Sequence, residues 1–293
     1  MNGFLVIDKP SGVTSFSMVS LVRRLTGVRR VGHAGTLDPL ASGVLPVAIG
    51  YATRLIEYMD DALKTYVAAV RFGEATDTYD AAGTVTARGD ASGVTAAAVE
   101  TALREFVGEI VQMPPIFSAI KVAGKPLYRY AREGTDVAVA SRTVFVESAV
   151  LHEYAGDAAE IEVRCGKGTY IRSIAHDLGQ RLGCGAHLVA LRRMSSGGFG
   201  LGDALSPDEL ALLAGEGRLG ETLLAADRAV ERRPAAILAD EHSVDVACGR
   251  DVTFAPDRAA DMCRAYSVAG DFLGVLRRSE GERWHPEKVV GRG

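Results

Sequence analysis

An α+β fold is predicted from the sequence: a large body of strands and helices, then a small β-barrel. Three observations lead there. Stretches with the two-residue alternation of a half-buried strand interleave with stretches whose apolar residues recur at i, i+3, i+4 and i+7. From about Pro234 that helical pattern gives way to short strand candidates (236–238, 252–254, 265–268, 272–276) separated by turns, as in a small barrel. Finally, 293 residues with 47% hydrophobic and 24% charged content suffice for one large core and a lesser one.

Residues 4–7 form the first strand candidate, and Asp8-Lys9-Pro10-Ser11-Gly12 is turn chemistry. A helix follows, capped by Thr14 or Ser15, with Met18, Leu21, Val22 and Leu25 on one face and Gly27 at its close. Residues 32–50 begin as a glycine-punctuated loop, reach a lone carboxylate at Asp38, and pass into an apolar stretch fit for a core. Pro39 keeps Asp38 out of the helical region and removes a backbone donor, so the carboxylate sits on a stiffened dipeptide. Small residues around it would admit a bulky planar ligand close to the backbone. Read on spacing alone, Asp-Pro is also an ordinary turn former.

Residues 64–72 are rich in β-branched and aromatic types and predict a strand, in which Tyr66 reads as a core or cross-strand residue. Residues 73–83 predict a polar loop whose Asp77 and Asp80 fall short of cation-ligand spacing. A helix over 95–107 turns Val99, Leu103 and Phe106 to one side. Between Gln112 and Arg132, two prolines precede Lys121, Lys125, Arg129 and Arg132, interleaved with Tyr128 and Tyr130. Cations for phosphates beside rings for bases suit an RNA-facing segment. Residues 159–165 alternate as a strand and lead through Gly166-Lys167-Gly168 into a helix over 169–182. Arg172 falls in its first turn, at the positive end of the dipole, a conflict that a nearby anion would resolve. His176 on the same helix reads as structural. Ser206-Pro207-Asp208-Glu209 is a capping box opening a helix through Leu213.

Lys+Arg 33 against Asp+Glu 37 gives a net charge of −4, which alone argues mildly against a nucleic-acid partner. The cations cluster, however, at 23–30, at 121–132, at 164–172 and at Arg192 and Arg193, compatible with a one-sided basic face. Four separated cysteines without a Cys-x-x-Cys pair indicate neither a zinc site nor a disulfide framework. The absence of a cationic leader and of any apolar run near about 18 residues predicts a cytoplasmic protein with no membrane partner.

The run Gly32-His33-Ala34-Gly35-Thr36-Leu37-Asp38-Pro39-Leu40-Ala41-Ser42-Gly43-Val44-Leu45 resembles the catalytic motif of the TruB family of pseudouridine synthases, which isomerise a T-loop uridine (position 55) of tRNA. Lys9-Pro10-Ser11-Gly12 resembles that family's first motif, which packs beside the catalytic loop. Gly168-Thr169-Tyr170-Ile171-Arg172-Ser173 resembles the motif whose arginine pairs with the catalytic aspartate, and residues 185–197 resemble its last catalytic-domain motif.

The resemblance implies a catalytic domain over 1–230 with a central mixed or antiparallel sheet flanked by helices. It implies a thumb-like RNA-binding insertion at about 114–140 and a PUA-like RNA-binding domain over 234–293. Asp38, Tyr66 and Arg172 would be catalytic: the carboxylate as nucleophile, or as an electrostatic and proton-accepting partner at the sugar, the tyrosine stacking on the base, the guanidinium orienting Asp38. His33, Tyr170, Leu191 and Lys9 would bind substrate, and Lys121, Lys125, Arg129 and Arg132 the rest of the RNA. The reaction breaks the uridine N1–C1′ bond, turns the uracil and joins C5 to the same carbon, with no metal or other cofactor. The implied partner is the T-arm of tRNA, met by a monomer without an obligatory protein partner. Three rival readings are a non-catalytic tRNA-binding or folding protein, a nucleoside hydrolase using Asp38, and a guide-RNA-dependent synthase. The hydrolase lacks a second carboxylate in a comparable motif, and the thumb-like segment favours direct tRNA recognition.

Overall fold

The fold is known from a computed structural model that describes residues 1–59, 63–118, 120–255 and 260–290. In chain order its elements begin with β1 (Gly3–Lys9), α1 (Ser15–Thr26), β2 (Val31–His33), β3 (Ser42–Ile49) and a 3-10 stretch (Gly50–Met59). Next come β4 (Lys64–Phe72), β5 (Glu74–Thr76), β6 (Val85–Arg88), α2 (Ala96–Arg104) and β7 (Gly108–Gln112). The short β8 (Lys121–Val122), β9 (Lys125–Pro126) and α3 (Leu127–Arg132) precede β10 (Arg142–Tyr154), β11 (Ala158–Cys165), α4 (Ile171–Arg181) and β12 (Ala186–Ser196). After β13 (Phe199–Gly200), β14 (Ala204–Leu205) and α5 (Pro207–Gly215), the last part contains β15 (Ala235–Leu238), α6 (Asp240–Ala247), β16 (Val252–Thr253), β17 (Met262–Ser267), β18 (Phe272–Glu280) and β19 (Arg283–Val289).

The main sheet runs β14-β1-β3-β12-β4-β11-β10-β7, with β2 and β13 attached to β3 and β12. It is mixed: β1–β14 and β3–β12 pair parallel, and the other neighbours pair antiparallel. Burial explains why its strands look so different in sequence. On β1 and β3, Leu5, Ile7, Leu45 and Val47 enter one core while Phe4, Val6, Val44 and Ala48 enter the other, giving continuous apolar runs. On β4 only Tyr66, Ala68, Val70 and Phe72 are buried, so the run alternates.

The helix ends follow their sequence signals. Thr14 accepts from the Ser17 amide, Gly27 closes α1 at φ 69°, and Ser206 and Glu209 bond reciprocally at α5. Two segments depart from expectation. Residues 73–83 are not all loop, because residues 74–76 pair with β6 as a ribbon. The first strand continues through Asp8 and Lys9, which pair with Val44 and Gly43.

The C-terminal sheet, in the order β15-β17-β18-β19-β16, curls into a half-barrel that fits a PUA-like end. Its buried Trp284 stacks on Phe254 at 5.2 Å and donates to the Phe254 carbonyl at 3.2 Å. α6 stands where the sequence suggested only strands. Met262 and Val275 pack with Phe4, Leu55 and Met59 of the main body, and Tyr266 donates to Asp227 at 2.5 Å across the same junction.

Candidate active site

Asp38 stands at the turn between β2 and β3, and backbone groups on both sides of it are held by hydrogen bonds. Ser15, 3% exposed at the start of α1, accepts from the Leu37 amide at 2.8 Å and donates to the Leu37 carbonyl at 3.0 Å. The Gly12 amide donates to the Pro39 carbonyl at 2.7 Å, Ser11 to the Leu40 carbonyl at 2.8 Å, and the Ala41 amide back to the Asp38 carbonyl at 3.0 Å. The last bond closes a turn with Pro39 at its second position, where a fixed φ is favourable. Gly35 takes φ +83°, a conformation costly to a residue with a side chain.

Arg172 reaches this carboxylate from the N-terminal turn of α4. Its Nη2 lies 2.9 Å from Asp38 Oδ2, and its Nη1 lies 3.5 Å from Asp80 Oδ2. Two anions thus answer the cation that the helix dipole disfavours. The same guanidinium donates to the Thr78 carbonyl at 3.2 Å and the Phe117 carbonyl at 3.1 Å, and it is 4% exposed. Asp80 carries no local signal of this contact, since its spacing bears only on a cation loop and falls short of one. Its other oxygen accepts from Thr78 Oγ1 at 2.7 Å and the Ala82 amide at 3.0 Å, which aims the free one at Arg172. Tyr79 beside it adopts φ +63° and stacks on His176 at 3.9 Å, pinning that turn to α4.

Asp38 opens into a cleft of about 390 Å³, within the range of small-ligand sites. Tyr66, Tyr170, Leu191 and Ser118 share its walls with Lys64, Arg142, Lys167, Arg172 and Arg193, against the single carboxylate of Asp38. A chain of net charge −4 therefore presents a positive cleft. The Tyr66 phenol is pushed up from its ordinary value by burial, an effect that Arg193 opposes. Tyr170 caps α4 and is fixed by Gln112, whose amide accepts from the Tyr170 N–H at 2.8 Å and donates to the Tyr170 carbonyl at 3.0 Å. Arg142 lies over the Tyr170 ring at 4.7 Å.

The remaining expected residues divide. Lys9, expected to bind substrate, is 0% exposed, is not among the cleft walls, and donates to the carbonyls of Val13 at 2.7 Å, Pro10 at 2.9 Å and Pro39 at 3.5 Å. Its ammonium ties the turn down from beneath. His33 lies half-buried on β2, paired with Val47 outside the cleft walls, and burial pushes its imidazole below the usual value. In the thumb-like segment Lys121 and Arg129 are exposed, whereas Lys125 pairs with Glu133 and lies over the Tyr130 ring at 4.5 Å. Its charge is already answered within the segment. The side chain of Arg132 lies outside the described residues. Arg193, read in the sequence only as part of a basic cluster, is 0% exposed in the cleft floor.

Comparison with known proteins bears on this arrangement. Residues 23–171 match the model of the TruB family pseudouridylate synthase N-terminal domain, and residues 172–231 that of the tRNA pseudouridylate synthase B C-terminal domain. A protein of Dehalococcoides mccartyi named tRNA pseudouridine synthase B is 42% identical over 99% of this chain and 96% of its own length. One of the same name from Geotalea uraniireducens is 44% identical over 85% of this chain and 80% of its own. Among solved structures, one of a Cbf5-Nop10-Gar1 complex matches at TM-score 0.77 and 27% identity, over 99% of this chain and 85% of that one.

Proposed function

The chain belongs to the TruB family of pseudouridylate synthases and isomerises uridine to pseudouridine in tRNA, and we propose that its target is the T-loop uridine with Asp38 as nucleophile. The observation behind this reading is the 2.9 Å pair of Asp38 and Arg172 at the mouth of a cation-walled cleft. In this reading residues 1–230 form the catalytic domain, with a thumb over about 114–140, and residues 234–293 a second RNA-binding domain. The enzyme acts alone, in the cytoplasm. Among the described residues no helix is long and apolar enough to cross a membrane.

The target nucleotide leaves its stack at a cost of a few kcal/mol, offset by phosphate contacts to the cleft cations. Asp38 then bonds to C1′ as the N1–C1′ bond breaks, and the uracil departs carrying the electron pair. Tyr66 and Leu191, on adjacent strands, confine the detached ring while it turns. C5 attacks C1′, the Asp38 ester bond breaks, C5 loses its proton and N1 gains one. Atoms balance within the nucleotide and the medium, and no cofactor takes part. Arg172 contributes by fixing the carboxylate with a charge-assisted hydrogen bond before the substrate arrives.

Replacing Asp38 by Asn keeps shape and removes charge. Pseudouridine mapping of tRNA incubated with Asp38→Asn is expected to show conversion reduced by more than about 10³-fold, with T-arm affinity within about tenfold of the parent. Conversion at the parental rate would sink the assignment.

A further inference from the structure

Arg193 is among the largest fully buried side chains of the molecule, and among the described residues it forms no ion pair. A guanidinium so placed must find its partners among neutral groups. Its Nε donates to the Val44 carbonyl at 2.7 Å and its Nη2 to the Gly35 carbonyl at 3.1 Å, while Nη1 is buried with no hydrogen-bond partner among the described residues. These two bonds join β3 to the turn that carries Asp38. The backbone of Arg193 is equally constrained. A Cβ on Gly43 would fall 2.2 Å from the Arg193 carbonyl oxygen, so the parallel step between β3 and β12 admits glycine there at φ +100°.

Directly opposite Arg193 in the β12–β4 register is Tyr66, and both side chains line the cleft. Opposed residues of an antiparallel pair hold their Cβ atoms about 4.5–5.5 Å apart on one face. The two side chains accordingly share the cleft face of the sheet, and the guanidinium opposes the effect of burial on the phenol.

We propose that Arg193 is the positioning residue for Tyr66: its Nη1–H donates to the phenolic oxygen, fixing the ring where the detached uracil must be held. This rests on the reading of the site as that of a uridine isomerase. With its oxygen occupied as an acceptor, the phenol turns its own proton into the cleft. Rotation about the Tyr66 Cα–Cβ bond is then opposed at the far end of the ring.

The test is a double-mutant cycle in steady-state conversion of a tRNA T-arm stem-loop. Arg193→Lys is expected to lower kcat at least about tenfold with KM within about threefold, and to change kcat less than about twofold in a Tyr66→Phe background. Equal losses in the two backgrounds would show that Arg193 serves only the fold and would overturn the proposal. A second measurement leaves Arg193 in place. In protein labelled with 15N-arginine, Tyr66→Phe is expected to move the Arg193 side-chain resonance, and an unmoved resonance overturns the proposal. This readout decides if Arg193→Lys does not fold or Tyr66→Phe does not turn over. A parent protein that makes no pseudouridine would instead defeat the functional reading, and the resonance would still report the contact.

Discussion

The turn at 34–41 and the thumb-like segment at 114–140 border the same cleft, and neither is built mainly from regular structure. They are held in opposite ways. Around Asp38 several donors come from buried side chains of other elements, among them Ser15, Lys9 and Arg193. In the thumb, Lys125 meets Glu133 and Tyr130 donates to the Val122 carbonyl at 3.1 Å, so those partners belong to the segment itself. The contrast separates two tasks. A group that must meet one carbon atom gains from being fixed beforehand, whereas cations that meet phosphates act over a longer range and tolerate looser placement.

The sharpest way to break the contrast is to withdraw the cation both regions share. Arg172→Ala leaves Asp80, whose side chain is 9% exposed, buried without its cation, at a cost of about 3 kcal/mol. Conversion should fall about 10²- to 10³-fold. Urea unfolding and single-turnover assays check both, and an undiminished rate would show that the turn orients Asp38 unaided. Next in size is Ser15→Ala, which deletes both bonds to Leu37. A loss of about 2 kcal/mol and about tenfold in kcat with KM unchanged is expected, against no effect if the remaining bonds suffice.

Lys9 offers a test by pH. Burial lowers its ammonium from 10.5 to about 8, with Asp38 pulling the other way. Because the folded value lies below the unfolded one, the unfolded chain binds more protons between these values, and the group's contribution to stability rises with pH through that window. Loss of charge nevertheless weakens the grip on the Pro39 carbonyl. The rate should therefore decline through about pH 8 without a matching drop in the unfolding temperature, and Lys9→Gln should lack that limb. A decline that tracks unfolding would exclude this cause. The smallest effects belong to the thumb. Lys121→Ala and Arg129→Ala should each raise KM about threefold at constant kcat and reduce the salt dependence of binding by about one counterion. A loss confined to kcat would mean the thumb is as exacting as the turn.

What could be read without coordinates follows from how local each cause is. Caps at Thr14 and Ser206, and the misfit of Arg172 with its helix dipole, are decided within a few residues, and all three stand in the structure. Asp80 meets Arg172 only because its turn docks on β12 through the Leu188 amide and carbonyl, a pairing with no trace in nearby spacing. Lys9 reads locally as a turn residue, and nothing near it announces its complete burial or its bond to Pro39, thirty positions on. β10 went unrecognised because one face lies against the core for only part of its thirteen residues, so no clean alternation marks it. Arg193 carries the same difficulty: nothing in a run of two arginines tells which one faces inward.

The hydrogen bond from Arg172 to the Phe117 carbonyl has a further effect. A bound RNA that lifts the root of the thumb would remove this competing acceptor and leave the guanidinium more fully to Asp38, so grip and turnover draw on one side chain. Shortened stem-loops that fail to reach this root should consequently react more slowly even at saturating concentration, a penalty that extra substrate does not repair.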